Sequence, residues 1–242
     1  MYGEGVFETV HLRPDGPWLL DAHLSRLTRS AALLDLPVPP IDCGDRSADP
    51  EGALRIVVRR DEPPAVSASP IPARALAERR RGVRVITADA GVSIHRPPWS
   101  LATAKTTSYA ANLAARRWAQ AQGADEMVWF SVEGYALEAP TASLVWLTGD
   151  RLCTVPPAAV AILPGITAAH LLARAGDVGL EPAEEMIRRD ALHAADAIWL
   201  ASSLRGLTEI TTLDGTVRAR SAWTGRLQSL LGYLAADPEQ PR

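Results

Sequence analysis

Strand-like and helix-like segments follow one another along this 242-residue chain without the regular strand–helix–strand alternation of a doubly wound parallel sheet. That irregularity points to an α+β fold. Residues 6–12 alternate as a strand, and Pro14-Asp15-Gly16-Pro17 supplies a turn. Asp21 is a good N-cap for a helix in which Leu24, Leu27, Ala31 and Leu34 form an apolar stripe ending before Pro37. A loop rich in Pro, Asp and Gly covers 38–52. Residues 53–59 read as a buried strand, 61–72 as a second proline-rich loop, and 83–87 as another strand. The stretch 93–107 has neither period and carries Pro97-Pro98, so it reads as the connection between two halves, with Lys105 at its far end. Residues 109–122 form a helix closed by Gly123. Short strands follow, joined by turns at Glu133-Gly134, Gly149-Asp150 and Asp214-Gly215. A helix starting near Ile166 and a C-terminal helix carrying Leu227, Leu230, Leu231 and Leu234 complete the second half.

The charge balance is 25 basic against 28 acidic residues, so no strong positive field holds nucleic acid or anionic lipid, and neither partner is expected. No apolar run reaches the length of a membrane span. Cys43 and Cys153 match no metal-ligand spacing, and the five histidines form no metal-spaced cluster, so no metal is expected. A reduced, cytoplasmic protein is the default reading. There is no Gly-x-Ser-x-Gly elbow, Gly-x-Gly-x-x-Gly loop or Walker loop.

The basic residues comprise 24 arginines and a single lysine, Lys105. An arginine stays protonated at any working pH, whereas a lysine amine can lose its proton and attack a carbonyl. Lys105 is therefore either a surface residue that has not drifted to arginine or a reactive amine. Other residues divide in the same way. Arg26 is a solvated helix arginine or a clamp on phosphate. Leu163-Pro164-Gly165-Ile166-Thr167 is an ordinary helix start or an anion cradle of free N–H groups and a hydroxyl. Ser202-Ser203, ahead of Leu204-Arg205-Gly206, ends a strand or adds donors. Glu138 is a strand-edge carboxylate facing water or a buried one, and burial demands a cationic partner. Arg79-Arg80-Arg81 after Glu78 reads as a solvated charged face.

Taken in order, Gly3-Glu4-Gly5-Val6-Phe7-Glu8-Thr9, His23-Leu24-Ser25-Arg26-Leu27, Lys105-Thr106-Thr107-Ser108-Tyr109, Leu137-Glu138-Ala139-Pro140-Thr141, Leu163–Thr167 and Ser202–Thr208 form one series. It resembles the class IV, fold-type IV pyridoxal-phosphate enzymes, among them D-amino-acid and branched-chain aminotransferases and 4-amino-4-deoxychorismate lyase. The likeness covers almost the whole chain in one order and spacing.

The resemblance implies pyridoxal 5'-phosphate as cofactor, Lys105 as the Schiff-base lysine and Arg26 as the phosphate-binding arginine. Glu138 becomes the partner of the pyridine nitrogen. Ile166 and Thr167 hold phosphate through the helix start, with Ser203 adding a hydroxyl, and Tyr109 lies near the cofactor. Arg55, Arg96, Leu204 and Arg205 are candidate binders of a small-molecule substrate, the three arginines as carboxylate binders should the reaction be a branched-chain or D-amino-acid transamination. The implied architecture is an N-terminal α/β sandwich over 1–98, a connection over 99–106 and a barrel-like domain over 107–242, assembled as a homodimer. Two departures stand out. Family members usually carry a strand before the Gly-Glu-Gly-Val-Phe-Glu-Thr segment, so the start lies upstream or the first sheet lacks an edge strand. Many also read Thr-Ser-Asn where this chain has Thr141-Ala142-Ser143.

Within the family, the short chain and the segment 135–146 resemble the lyases more than the branched-chain aminotransferases. The expected reaction is release of pyruvate and 4-aminobenzoate for folate synthesis, with branched-chain or D-amino-acid transamination as the alternative. A non-enzymatic binding protein fits poorly, since Lys105, Glu138 and Arg26 occur together.

Overall fold

The computed structural model describes residues 4–233. Strands β1 (Gly5–Arg13) and β2 (Gly16–Pro17) form a hairpin on the expected turn, followed by α1 (Leu20–Ala32), β3 (Gly52–Arg59) and β4 (Ala65–Ser69). Next come α2 (Ala73–Arg81), β5 (Val83–Asp89), α3 (Ala110–Ala121) and β6 (Glu126–Phe130). The rest runs β7 (Ser143–Thr148), β8 (Arg151–Thr154), α4 (Pro157–Val160), α5 (Ile166–Ala173), β9 (Glu181–Glu184), α6 (Arg189–Ala194), β10 (Ala197–Ser202), β11 (Gly206–Leu213), β12 (Thr216–Val217) and α7 (Trp223–Leu230).

The strands form two sheets, as an α+β fold of two domains requires. The first is antiparallel in the order β2-β1-β3-β4. Period-two alternation on β1 sends Val6 and Val10 into a core with Leu27 and Ala31 of α1 and Leu54 and Ile56 of β3. Glu8 shares their parity and points the same way. Phe7 and Thr9 take the opposite face, towards a cavity.

The second sheet is mixed, in the order β6-β5-β11-β10-β7-β8-β9, with β12 on β11. Both of its faces are covered. Leu144, Trp146, Ile198 and Leu200 pack on one side, and Val145, Leu147 and Trp199 on the other with Leu171 of α5 and Leu227 of α7. Burial on both faces explains why β7 and β10 read as continuous apolar runs rather than alternating ones.

Several local expectations need correction. Asp21 lies inside α1; the N-cap position belongs to Leu19, in the left-handed region at φ 56°. The stretch 61–72 contains β4, which adds an edge strand. Glu78 and Arg79 are buried, the arginine paired with Glu51, so only part of that charged run meets water. Strand β5 precedes the 93–107 connection yet pairs in parallel with β11 and β6, so the sheets divide between β4 and β5, ahead of residue 98. Leu234 lies outside the described residues.

Candidate active site

The two sheets enclose a cavity of about 810 Å³, within the range typical of small-molecule sites. Its wall includes Arg26, Arg55, Arg96, Lys105, Tyr109 and Glu138, and also Ile166, Thr167, Ser203, Leu204 and Arg205. Every residue singled out from the sequence therefore reaches one space, from segments more than 170 positions apart.

Lys105 is fixed through its backbone. Its carbonyl accepts from Phe7 N–H at 2.9 Å on β1, and its own N–H donates to Ser30 Oγ at 3.0 Å on α1. The side chain runs past the Phe7 ring, with Nζ 4.5 Å from the ring centroid and 3.4 Å from Tyr109 Oη. Loss of hydration, with Arg26 nearby, pulls the amine down to about 8, although Glu8 and Glu138 oppose the shift. Near pH 8 the neutral form of Lys105, which can act as nucleophile or base, is therefore well populated, as it would not be at the ordinary lysine value. Burial pushes the Tyr109 hydroxyl up to about 12, so it stays protonated as a donor.

Glu138 is half-buried in the cavity wall. Loss of hydration pushes it up to about 7, against the pull of a hydrogen bond from Leu163 N–H at 3.2 Å and of the Lys105 charge. Its carboxyl needs a cationic partner to be held ionised.

Arg26 is 5% exposed, which removes the solvated reading. Its Nε and Nη2 donate to the two oxygens of Glu8 at 2.7 and 2.8 Å, and Nη1 donates to the Pro164 carbonyl at 2.9 Å. Nη1 and Nη2 each keep a further N–H for a ligand. Glu8 also binds His23 Nδ1 at 2.7 Å. Burial alone would raise Glu8, but the Arg26 and His23 bonds hold it down at about 2. A carboxylate only accepts, so Nδ1 carries the proton and Nε2 is left to accept from Ser203 Oγ at 3.5 Å. Glu8 thereby orients Arg26 and, through His23, Ser203. The sequence signal for this residue was its parity: an acid on the same strand face as Val6 and Val10 must find buried cations.

The start of α5 faces the same space. A Cβ at Gly165 would collide with Ser143 Oγ, so only a glycine fits at the N-cap of α5, whose first residues Ile166 and Thr167 line the cavity. Arg205 differs from its expectation as a substrate binder. Its Nη1 donates to Glu78 at 3.2 Å and Glu126 at 3.0 Å, and Nη2 to Thr141 Oγ1 at 3.0 Å, so it is largely committed to the wall. Arg55 lies opposite Thr9 on the cavity face, 4.0 Å over the Phe7 ring. Arg96 has a buried Nε with no hydrogen-bond partner. Neither forms an ion pair among the described residues.

The sequence pattern of the amino-transferase class IV family matches residues 5–213. A bifunctional aminodeoxychorismate lyase / D-amino acid transaminase of Mycobacterium tuberculosis is 37% identical over 239 aligned residues, spanning 88% of this chain and 83% of that protein. Among solved structures, a hypothetical aminotransferase from M. tuberculosis in its PLP-bound form superposes with a TM-score of 0.88 at 36% identity, over 95% of this chain and 88% of the other. The fold IV-transaminase CpuTA1 from Curtobacterium pusillum gives 0.83 at 33% identity, over 95% and 84%. The cavity suits such a cofactor: a depressed amine, an anion cradle backed by Arg26, and a carboxyl that a protonated ring nitrogen would keep ionised.

Proposed function

From the premise that this chain belongs to the class IV aminotransferase family and is a pyridoxal-phosphate-dependent enzyme, we propose that it is a 4-amino-4-deoxychorismate lyase. The observation that carries the reading is the pair Arg55 and Arg96. Two arginines that line the cavity and form no ion pair among the described residues suit a substrate bearing two carboxylates, although Arg96 also feels the charge of Glu138. The name of the M. tuberculosis relative includes this activity beside D-amino acid transamination.

In this reading Arg26, Ile166, Thr167 and Ser203 would hold the cofactor phosphate, Glu138 would pair with its ring nitrogen, and Lys105 would supply the amine that meets its aldehyde carbon. When bound, the cofactor supplies an electron sink for charge developing on the amine-bearing carbon of the substrate. The Lys105 amine, lowered by burial, would take the proton from that carbon. The ether C–O bond then breaks, the ring becomes aromatic as 4-aminobenzoate, and Lys105 returns a proton to the departing enolpyruvyl carbon to give pyruvate. Tyr109, held protonated and 3.4 Å from Nζ, steers the amine.

D-Amino-acid transamination is the second reading, favoured by the bifunctional relative. It uses the same residues and differs in where Lys105 delivers its proton. We also infer a homodimer in a reducing cytoplasm. Exposed Trp99 and Leu101 beside the cavity, with Leu113 and Trp118 on α3, support the dimer, and the free, buried Cys43 and Cys153 support the compartment.

The test is incubation with aminodeoxychorismate and, separately, with D-amino-acid and 2-keto-acid pairs, followed by mass spectrometry. Equal amounts of 4-aminobenzoate and pyruvate over many turnovers are expected. Amine exchange without 4-aminobenzoate would replace the lyase assignment with the transaminase one.

A further inference from the structure

The turn between β10 and β11 carries Ser203, Leu204 and Arg205 into the cavity, and it is gripped from behind by residues that lie outside the catalytic set. Tyr233, just past α7, donates its hydroxyl to the Ser203 carbonyl at 2.6 Å. Arg79 on α2 donates Nη2 to the next carbonyl, that of Leu204, while its Nη1 binds both Glu51 oxygens at 2.9 Å. Both side chains are buried, at 3% and 5% exposure. The Tyr233 ring is itself fixed, stacked on His11 with centroids 4.9 Å apart and planes 8° apart, and met edge-on by Trp18 at 5.6 Å.

The backbone is shaped to this seat. Gly206 adopts φ 62°, and a Cβ there would stand 3.0 Å from Cγ, Cδ1 and Cδ2 of Tyr233. Only a glycine lets the turn rest against the ring. The peptide bonds concerned are trans, so each N–H points opposite to the carbonyl of the same peptide. Holding the Ser203 and Leu204 carbonyls rearward therefore turns the Leu204 and Arg205 N–H groups towards the cavity that both residues line.

We propose that Tyr233 and Arg79 are positioning residues that set these two N–H groups against an anionic oxygen, whether of the cofactor phosphate or of a substrate carboxylate. The assignment rests on the reading that this cavity holds both. Neither residue touches the reacting atoms; each acts through the turn, and preorganising it lowers the cost of ordering on binding.

The experiment compares Tyr233→Phe and Arg79→Lys with the wild-type full chain. Tyr233→Phe keeps the ring and its stack, and Arg79→Lys keeps the charge towards Glu51 but cannot span both partners. The cofactor-free protein is titrated with pyridoxal phosphate, KM and kcat are measured on the holoenzyme, and amide exchange is followed at Leu204 and Arg205. Loss of one buried hydrogen bond should raise the affected constant about 5- to 10-fold. A rise in cofactor Kd identifies phosphate as the anion, and a rise in KM with kcat within about twofold identifies the substrate carboxylate. Exchange at both amides should quicken in either variant. Unchanged Kd, KM and exchange in both variants would overturn the proposal. Arg26→Ala and Ser203→Ala separate the two levels. If they weaken cofactor binding while the positioning variants do nothing, only the role of Tyr233 and Arg79 fails. If they too leave binding unchanged, the reading of the site falls, and the proposal with it.

Discussion

Two glutamates act on the Lys105 amine from different parts of the fold, and their surroundings drive them in opposite directions. Glu8, on the core face of β1, is fully buried but accepts from Arg26 and His23, which hold it at about 2. Glu138, ahead of β7, has one backbone N–H and more distant cations, and loss of hydration raises it to about 7. Burial contributes the same sign in both cases; the number of ionic hydrogen bonds decides the outcome. Glu8 is a fixed charge that builds the site. Glu138 is a responsive one, whose charge depends on what lies beside it.

The severest test of this division is Lys105 itself, the amine on which both carboxylates act. Lys105→Arg keeps a cation there but removes the nucleophile and the base. Turnover should fall by roughly 10²–10⁴-fold or more. Borohydride reduction of the wild-type holoenzyme should fix the pyridoxyl group on the Lys105 peptide, and a label absent from that peptide would remove the lysine from its role.

Glu8→Gln should be the next largest effect, and it should appear as instability. The amide leaves Arg26 buried without its counter-charge, at a cost of about 3–5 kcal/mol in unfolding free energy by denaturant titration. Wild-type stability in this variant would mean that Arg26 finds another anion. In the wild-type protein the stabilisation from Glu8 is complete above about pH 4.5, its ordinary value, and is lost as pH falls through about 2.

Glu138→Gln should leave the fold intact and lower kcat by about 10- to 100-fold, because an amide cannot stabilise a protonated ring nitrogen. In the cofactor-free protein the sign of the pH effect is opposite to that of Glu8. A raised pKa favours the folded state below about pH 4.5, and that advantage fades as pH rises through about 7. The variant should abolish this loss. A wild-type pH profile in Glu138→Gln would show that the two glutamates do not differ as described.

The smallest effect concerns the arginines left without ion pairs. Arg96→Ala and Arg55→Ala should each raise KM for a dicarboxylate substrate about 10-fold, the size of one charge-assisted contact, while Kd for the cofactor stays constant. Equal KM values would return both to solvent-facing roles.

The sequence by itself determined the elements that rest on local patterns: the β1 strand, the α1 stripe, the Asp214-Gly215 turn and the helix starting at Ile166. It also exposed Lys105, because one lysine among 25 basic residues stands out in the chain itself. Two choices it left open were settled only in three dimensions. Arg79 reads as a solvated helix arginine, and Arg26 as either solvated or a phosphate clamp, until Glu51 and Glu8, far away in sequence, are seen to bury them. Strand β5 read as part of the first half, but its partners β6 and β11 lie on the other side of the connection. Tyr233 gave no signal at all, since its work is done on a carbonyl 30 residues away. Periodicity records which face of an element is apolar, a property of neighbours along the chain. Which buried charge meets which, and which edge a strand joins, depends on contacts between distant segments, and these exist only once the chain has folded.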